Sequence, residues 1–239
     1  MSGREEIATM LSGLSLPIEA IFFDYGGTLD APGIAWKERF YPLYQKHGVC
    51  VDISTFTRAF YHADDSLVEE NPSSLNLTQI VHEQVSRVLH YLERYDPKIK
   101  AKIADEFVSD SLRNIRNNLT VLRELKKRYK LGIISNNYGN LKAICDETGL
   151  SEVMDVLVDS NIVGYEKPDT RIFLEALKCV DIEPSKAIMV GDNVKRDIHG
   201  ALNVGMQPIL ISSGNLPADV TVPDVPEIES LNELQFFSK

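Results

Sequence analysis

The stretch IEAIFFDYGGTL occupies residues 18–29 and carries the strongest structural signal in the chain. Its first part, Ile18 to Phe23, is apolar except for Glu19, carries β-branched and aromatic side chains, and ends abruptly at Asp24. A short apolar run of this kind is typical of a strand that is buried on both faces, as in a parallel sheet. Gly26 and Gly27 follow, and consecutive glycines permit a tight turn and a close approach of the backbone to a ligand.

After residue 117 the sequence alternates between strand and helix signals. The predicted strands are Leu131 to Ser135, Val153 to Val158, Ala187 to Val190 and Gln207 to Ile211. The predicted helices are Leu119 to Lys130, Asn140 to Thr148, Thr170 to Val180 and Val194 to Val204. This alternation indicates βαβ units, and therefore an α/β fold with a doubly wound parallel sheet. Right-handed crossovers then place the carboxyl ends of the strands along one edge, where such sheets bind ligands.

Residues 35–112 differ from the rest because they show helical patterns and no strand signal of comparable strength. The predicted helices are Trp36 to His47, Ile53 to Ala63, Leu75 to Arg94 and Lys98 to Leu112. We interpret residues 35–112 as a helical cap domain inserted into a discontinuous α/β core, residues 18–34 and 113–229. Linkers near residues 31–36 and 112–117 would let the cap hinge over the core and enclose a cleft lined by both.

Composition limits the kinds of partner. The 239 residues include 25 Lys plus Arg and 35 Asp plus Glu, which gives a net charge of −10. With no basic run, this balance argues against nucleic acid and membrane surfaces as partners but not against a small phosphorylated substrate. No apolar stretch approaches the roughly 20 residues that span a membrane, and residues 1–17 do not resemble a signal peptide. Three widely spaced cysteines indicate a cytoplasmic location. The oligomeric state is not predicted.

Polar side chains stand where the predicted strands end. They are Asp24 after the first strand, Ser135 and Asn136 at the next, Asp192 and Asp197 after a later one, and Lys167 before a helix. In a parallel sheet these groups converge on one edge, where three carboxylates, a lysine and a hydroxyl can hold a hard cation and an anion. Mg²⁺ suits such ligands because it keeps several waters and bridges to phosphate. An aspartate beside Mg²⁺ and a lysine can attack phosphorus and form an aspartyl-phosphate.

Four segments together resemble the motifs of the haloacid dehalogenase-like (HAD) hydrolases. They read IFFDYGGTL (21–29), IISNN (133–137), GYEKPD (164–169) and GDNVKRD (191–197). All four occur in the family's order, and they cover the chain from about residue 18 to residue 211. The resemblance implies a Rossmann-like core, and the helical segment after the first motif is similar to the cap of the family's phosphatase branch.

The resemblance also implies roles for the residues that match the motifs. Asp24 matches the nucleophile, and Lys167 matches the cation that offsets charge between the nucleophile and the phosphate. Thr28 and Ser135 match groups that hydrogen-bond the carboxylate or the phosphoryl oxygens. The implied catalytic set is therefore Asp24, Thr28, Ser135 and Lys167, and the implied substrate-binding set is Ser135, Asn136 and Lys167.

One residue departs from the family pattern. The implied Mg²⁺ ligands are Asp24, the carbonyl of Gly26 and Asp192, with Asp197 in support. At the position of Gly26, the family's phosphatases have an aspartate that acts as general acid and base. Glycine keeps the main-chain carbonyl but has no carboxyl group. General acid catalysis contributes about 10² to 10⁴ in rate, so weak activity is expected on esters whose leaving group needs a proton. Gly26→Asp should restore this factor if the backbone there does not require a positive φ.

The expected function is Mg²⁺-dependent hydrolysis of a small phosphorylated metabolite through an aspartyl-phosphate. Because of Gly26, an alternative is a nearly inactive HAD-like protein that binds a phosphorylated ligand or a partner. A 2-haloacid dehalogenase is a weaker alternative, because that branch needs no metal whereas Asp192 and Asp197 are both present. The physiological substrate is not predicted, since the fold alone does not determine it.

Overall fold

The structure is a computed structural model that describes residue 14, residues 17–214 and residues 220–238. The signal-peptide expectation for residues 1–17 therefore lies almost wholly outside the described residues. Within them, no helix is long and apolar enough to cross a membrane.

Six parallel strands form one sheet in the order β3-β2-β1-β4-β5-β6. The strands are β1 (Ala20–Phe23), β2 (Lys130–Ser135), β3 (Val156–Asp159), β4 (Ala187–Gly191), β5 (Gln207–Ile211) and β6 (Glu227–Ile228). The predicted α/β fold with a parallel, doubly wound sheet is confirmed, and the short β6 is an addition that its sequence did not signal. Because β1 lies between β2 and β4, the residues that follow these three strands meet at one edge.

Helices cover both faces of the sheet. They are α1 (Trp36–Lys46), α2 (Ile53–Glu70), α3 (Leu77–Tyr91), α4 (Pro97–Leu125), α5 (Leu141–Thr148), α6 (Ser160–Val163), α7 (Thr170–Val180) and α8 (Gly200–Val204). Every residue of β1 is buried. Its side chains alternate, so Ile21 and Phe23 join the apolar cluster on the side of α1–α5, while Ala20 and Phe22 join the cluster formed with α7 and α8.

The segment of α1–α3 and the first half of α4, called the insert below, has its own aromatic core. Phe40 of α1 stacks on Phe107 of α4 with ring centroids 3.9 Å apart, and Trp36 meets Phe107 edge-on at 5.1 Å. Asn76 and Gln79 form a capping box that begins α3. These local signals explain why the helices of this segment could be predicted from the sequence.

The predicted linker at residues 112–117 is wrong, because α4 runs without a break from Pro97 to Leu125. Residues 114, 117 and 118 are asparagines, which are weak helix formers, yet the helix continues through them. Two of these asparagines make tertiary contacts. The side-chain amide of Asn114 donates to the main-chain oxygen of Asp30 at 3.1 Å, and that of Asn118 donates to the main-chain oxygen of Leu29 at 2.9 Å. The first linker is present as the loop that precedes Trp36. The insert is thus joined to the sheet by one loop and one continuous helix.

Candidate active site

The first and third predicted motifs meet in a buried ion pair at the edge of the sheet. The Asp24 main-chain N–H donates to the oxygen of Val190 at 2.9 Å, which fixes the end of β1 against β4. The Lys167 ammonium donates to Asp24 Oδ1 at 2.7 Å and to Asp197 Oδ1 at 2.6 Å. Only 2% of the Lys167 side chain is exposed. One lysine therefore holds two of the three predicted carboxylates.

Asp192 completes a cluster with an excess of negative charge. One carboxylate oxygen from each of Asp24, Asp192 and Asp197 lies within 4.8 Å of the others. Burial, followed by repulsion from Asp24 and Asp197, raises the pKa of Asp192 well above its usual range. Burial opposes the charge of Lys167, but the two carboxylates beside it outweigh this effect and raise its pKa. Lys167 is thus charged, and it is one cation among three acidic groups.

Two glycines allow the carboxylates to come this close. Gly27 has a φ of +90°, and a Cβ atom there would collide with the carboxylate of Asp192. At Gly191, a Cβ atom would collide with the carboxylate of Asp197. The resulting set of carboxylate oxygens fits Mg²⁺, which prefers hard oxygen ligands.

Asn136 positions Lys167. Its side-chain oxygen accepts from the Lys167 main-chain N–H at 2.7 Å, and its side-chain nitrogen donates to the Lys167 main-chain oxygen at 3.0 Å. These contacts give Asn136 a positioning role, and the residue also lines the cavity above Asp24. Ser135, at the end of β2, is buried and lines the same cavity as Asp24.

Thr28 is separate from this group. Its side chain is fully buried, and its hydroxyl oxygen has no hydrogen-bond partner among the described residues. It is not among the residues that line the cavity above Asp24. The structure therefore brings Asp24, Ser135, Lys167 and the two later aspartates together, but it gives the Thr28 hydroxyl no contact with them.

A cavity of about 240 Å³ lies between the sheet edge and the insert, as expected for a cleft lined by both. The sheet contributes Asp24, Gly26, Ser135, Asn136 and Lys167. The insert contributes Trp36, Lys37, Glu38, Phe60, Tyr61 and Asp64. Arg196 also lines the cavity. Neither Asp64 nor Arg196 was predicted from the sequence as a site residue. Arg196 stands inside the fourth motif, which was a usable signal, whereas nothing around Asp64 marks it in the sequence.

Gly26 is covered by an indole ring. Its φ is not in the left-handed region, so the backbone accepts any residue, but a Cβ atom there would lie 3.3 Å from Nε1 of Trp36. That Nε1–H donates to Asp30 Oδ2 at 2.8 Å, which holds the ring in place. The space beside Gly26 is therefore occupied by Trp36.

Comparison with known proteins agrees with this geometry. The model of the haloacid dehalogenase-like hydrolases matches residues 18–205. The chain belongs to this family. A haloacid dehalogenase-like hydrolase domain-containing protein 3 from Bos taurus is 31% identical over 200 residues, which cover 79% of each chain.

The chain is also similar to a curated phosphatase and to a solved dehalogenase structure. A glyceraldehyde 3-phosphate phosphatase from Methanothermobacter thermautotrophicus is 39% identical over 137 residues, which cover 52% of this chain and 59% of that protein. The crystal structure of a 2-haloacid dehalogenase from Pseudomonas syringae has a TM-score of 0.52 at 26% identity, and the match covers 92% of this chain and 97% of that one. The predicted family and fold are confirmed: this is a HAD-like hydrolase whose relatives include phosphatases.

Proposed function

We propose that this HAD hydrolase is a Mg²⁺-dependent phosphatase that hydrolyses a small phosphorylated metabolite through an aspartyl-phosphate on Asp24. The observation that carries the proposal is the arrangement of Asp24 in the cavity, held by Lys167 and flanked by two further carboxylates. A nucleophile needs access to its substrate and a fixed orientation, and Asp24 has both.

The chain's own residues account for the steps. The Asp24 carboxylate attacks phosphorus, the bond from phosphorus to the leaving oxygen breaks, and water then hydrolyses the aspartyl-phosphate to release phosphate. Lys167 offsets charge on the nucleophile and on the incoming phosphate, and Asn136 keeps Lys167 in place. Mg²⁺, held by Asp24, the Gly26 carbonyl and Asp192 with Asp197 in support, would neutralise the remaining excess of negative charge.

The charge balance favours this function over dehalogenation. Attack on the carbon of a 2-haloacid needs one aspartate and no cation, and the three carboxylates around the single Lys167 would then leave an excess of negative charge that repels the carboxylate of the substrate. With a cation bound, the same two residues favour a phosphate dianion. The phosphatase relative supports this choice.

The size of the cavity supports a small substrate. At about 240 Å³ it lies below the usual range of drug-sized ligand pockets. The name of the phosphatase relative makes glyceraldehyde 3-phosphate a reasonable first metabolite to assay. We propose that residues 35–112 act as the cap that selects this substrate, since they form one wall of the cavity.

The test is phosphate release from p-nitrophenyl phosphate and from glyceraldehyde 3-phosphate, with MgCl₂ or with EDTA. Asp24→Asn, whose thermal unfolding serves as the folding control, should lower turnover by about 10³-fold or more. Wild-type activity that persists in EDTA would contradict the metal requirement. Binding of phosphate without hydrolysis would support a binding protein, and chloride release from 2-chloropropionate would support a dehalogenase.

A further inference from the structure

The source of the proton for the leaving group is missing from the motifs. Gly26 has no side chain, and Trp36 fills the space beside it. Besides Asp24, the carboxylates that line the described part of the cavity are Glu38 and Asp64. Glu38 lies 3.3 Å from the ammonium of Lys37, and 53% of its side chain is exposed. Asp64 is therefore the better placed of the two to give up a proton away from water.

Asp64 projects from α2, and its two oxygens have different surroundings. Oδ1 accepts hydrogen bonds from the Tyr138 hydroxyl and, at 2.9 Å, from the Gln84 side-chain nitrogen. Oδ2 receives no hydrogen bond from the described residues. Since Oδ1 already accepts from two donors, a proton on this carboxyl group resides on Oδ2. The structure thus fixes both the orientation of the carboxyl group and the atom from which a proton can leave.

The charges around Asp64 favour a proton near neutral pH. Burial raises its pKa from 3.8 to about 6. The hydrogen bond from Tyr138 and the nearby charge of Arg196 act in the opposite direction, and Asp65 adds a small increase. A carboxyl group that titrates close to the working pH can both donate and accept a proton, as a general acid and base must.

We propose that Asp64 is the general acid and base of this enzyme, supplied by the insert in place of the side chain that Gly26 lacks. The inference rests on the proposed phosphatase function. As Asp24 attacks phosphorus, the leaving oxygen takes the proton from Asp64 Oδ2 and departs as an alcohol. In the second step, a water that attacks the aspartyl-phosphate gives its proton to the Asp64 carboxylate. Asp24 is released with phosphate as the product, and Asp64 is protonated again.

The hydrogen bond from Tyr138 also connects this acid to the core of the protein. Tyr138 follows the second motif, whereas Asp64 belongs to the insert, so the bond exists only when the insert lies over the sheet edge. Proton donation would therefore be available when the insert lies over the sheet edge.

The experiment compares two esters of similar size with different leaving groups, p-nitrophenyl phosphate and benzyl phosphate. The p-nitrophenolate ion leaves without a proton, whereas benzyl alcohol needs one. Asp64→Asn keeps an oxygen that can accept from Tyr138 but carries no proton to donate. It should lower kcat/KM for benzyl phosphate by about 10²-fold or more, and for p-nitrophenyl phosphate by much less. Asp65→Asn, the same change at the neighbouring exposed position, should alter neither value.

The outcomes separate this proposal from the proposed function. An equal loss on both esters, or no loss on either, would overturn the role of Asp64 while leaving the phosphatase intact. Hydrolysis of neither ester by the wild type, or full activity in Asp24→Asn, would overturn the phosphatase itself. A second measurement needs no variant: the wild type should cleave benzyl phosphate within about 10²-fold of p-nitrophenyl phosphate, and a larger gap would also overturn the proposal.

Discussion

Asp24 and Asp30 lie on the same loop after β1, and both are largely buried, yet their surroundings are opposite. Asp30 is fully buried and accepts from four donors: the Gly27 main chain at 2.8 Å, Trp36 at 2.8 Å, Arg39 at 2.7 Å and Ser111 at 3.1 Å. Its charge is matched by Arg39. Among the described residues, Asp24 has one cation, Lys167, which it shares with Asp197, and Asp192 lies nearby without an ion pair.

The difference shows which cluster is structural and which is able to bind a ligand. Around Asp30 every charge has a partner, and the donors come from the loop after β1, from α1 and from α4. That cluster joins the insert to the sheet. Around Asp24 the negative charges exceed the positive ones, and such an excess is stabilised by an added cation.

The largest expected effect on stability is at Asp30. Asp30→Ala leaves the guanidinium of Arg39 buried against the Phe107 ring, with Asp110 and Ser111 as its hydrogen-bond partners among the described residues, and loss of one member of a buried pair costs about 3–5 kcal/mol. Urea unfolding would measure this as a lower midpoint. Asp110→Ala, which removes the more exposed partner of Arg39, should cost less than about 1 kcal/mol. Equal losses in the two variants would contradict the structural role assigned to Asp30.

The next effect concerns the metal. At about 100 times its dissociation constant, Mg²⁺ should raise the free energy of unfolding by about 2.7 kcal/mol, because the proposed site exists only in the folded state. Asp192→Asn should remove most of this gain, and in EDTA it should be at least as stable as the wild type because it relieves repulsion. Thermal unfolding with MgCl₂, with EDTA and with KCl at equal ionic strength would test this. An undiminished Mg²⁺ shift in the variant would place the cation elsewhere.

Predictability from the sequence differs between the two walls of the cavity. The wall formed by the sheet was predictable because parallel strands bring their carboxyl ends together, so Asp24, Ser135 and Asp192 are neighbours once the strands are recognised. The wall formed by the insert depends on how helices pack, which no local pattern encodes. Asp64 was missed for this reason, and a linker was predicted at residues 112–117 because the partner of that segment, the loop after β1, is distant in the sequence.

An effect of comparable size should appear in the pH dependence of stability. The pKa of Asp64 is about 6 in the folded protein against 3.8 ordinarily, so the folded state holds this proton more tightly than the unfolded chain. Ionisation of Asp64 therefore costs stability as the pH rises from about 4 through about 6. Asp64→Asn should be more stable than the wild type by about 3 kcal/mol at about pH 7.5, and the difference should fall to less than about 1 kcal/mol near pH 4. Urea unfolding at several pH values measures this, and a constant difference would contradict the elevated pKa.

The smallest effect should be at Gly26, where the sequence alone suggests a large one. If this enzyme lacked a general acid, Gly26→Asp would raise the turnover of benzyl phosphate by about 10² to 10⁴. The structure changes this expectation. A side chain at residue 26 meets the indole of Trp36, which is held by Asp30, and Asp64 already supplies the proton in the mechanism proposed above. We therefore expect Gly26→Asp to change kcat/KM for benzyl phosphate by less than about tenfold. Gly26→Ala, which adds only the Cβ atom, is the control for crowding against Trp36. A gain of a hundredfold in the aspartate variant alone would mean that the acid had been absent, and it would assign Asp64 to structure rather than to catalysis.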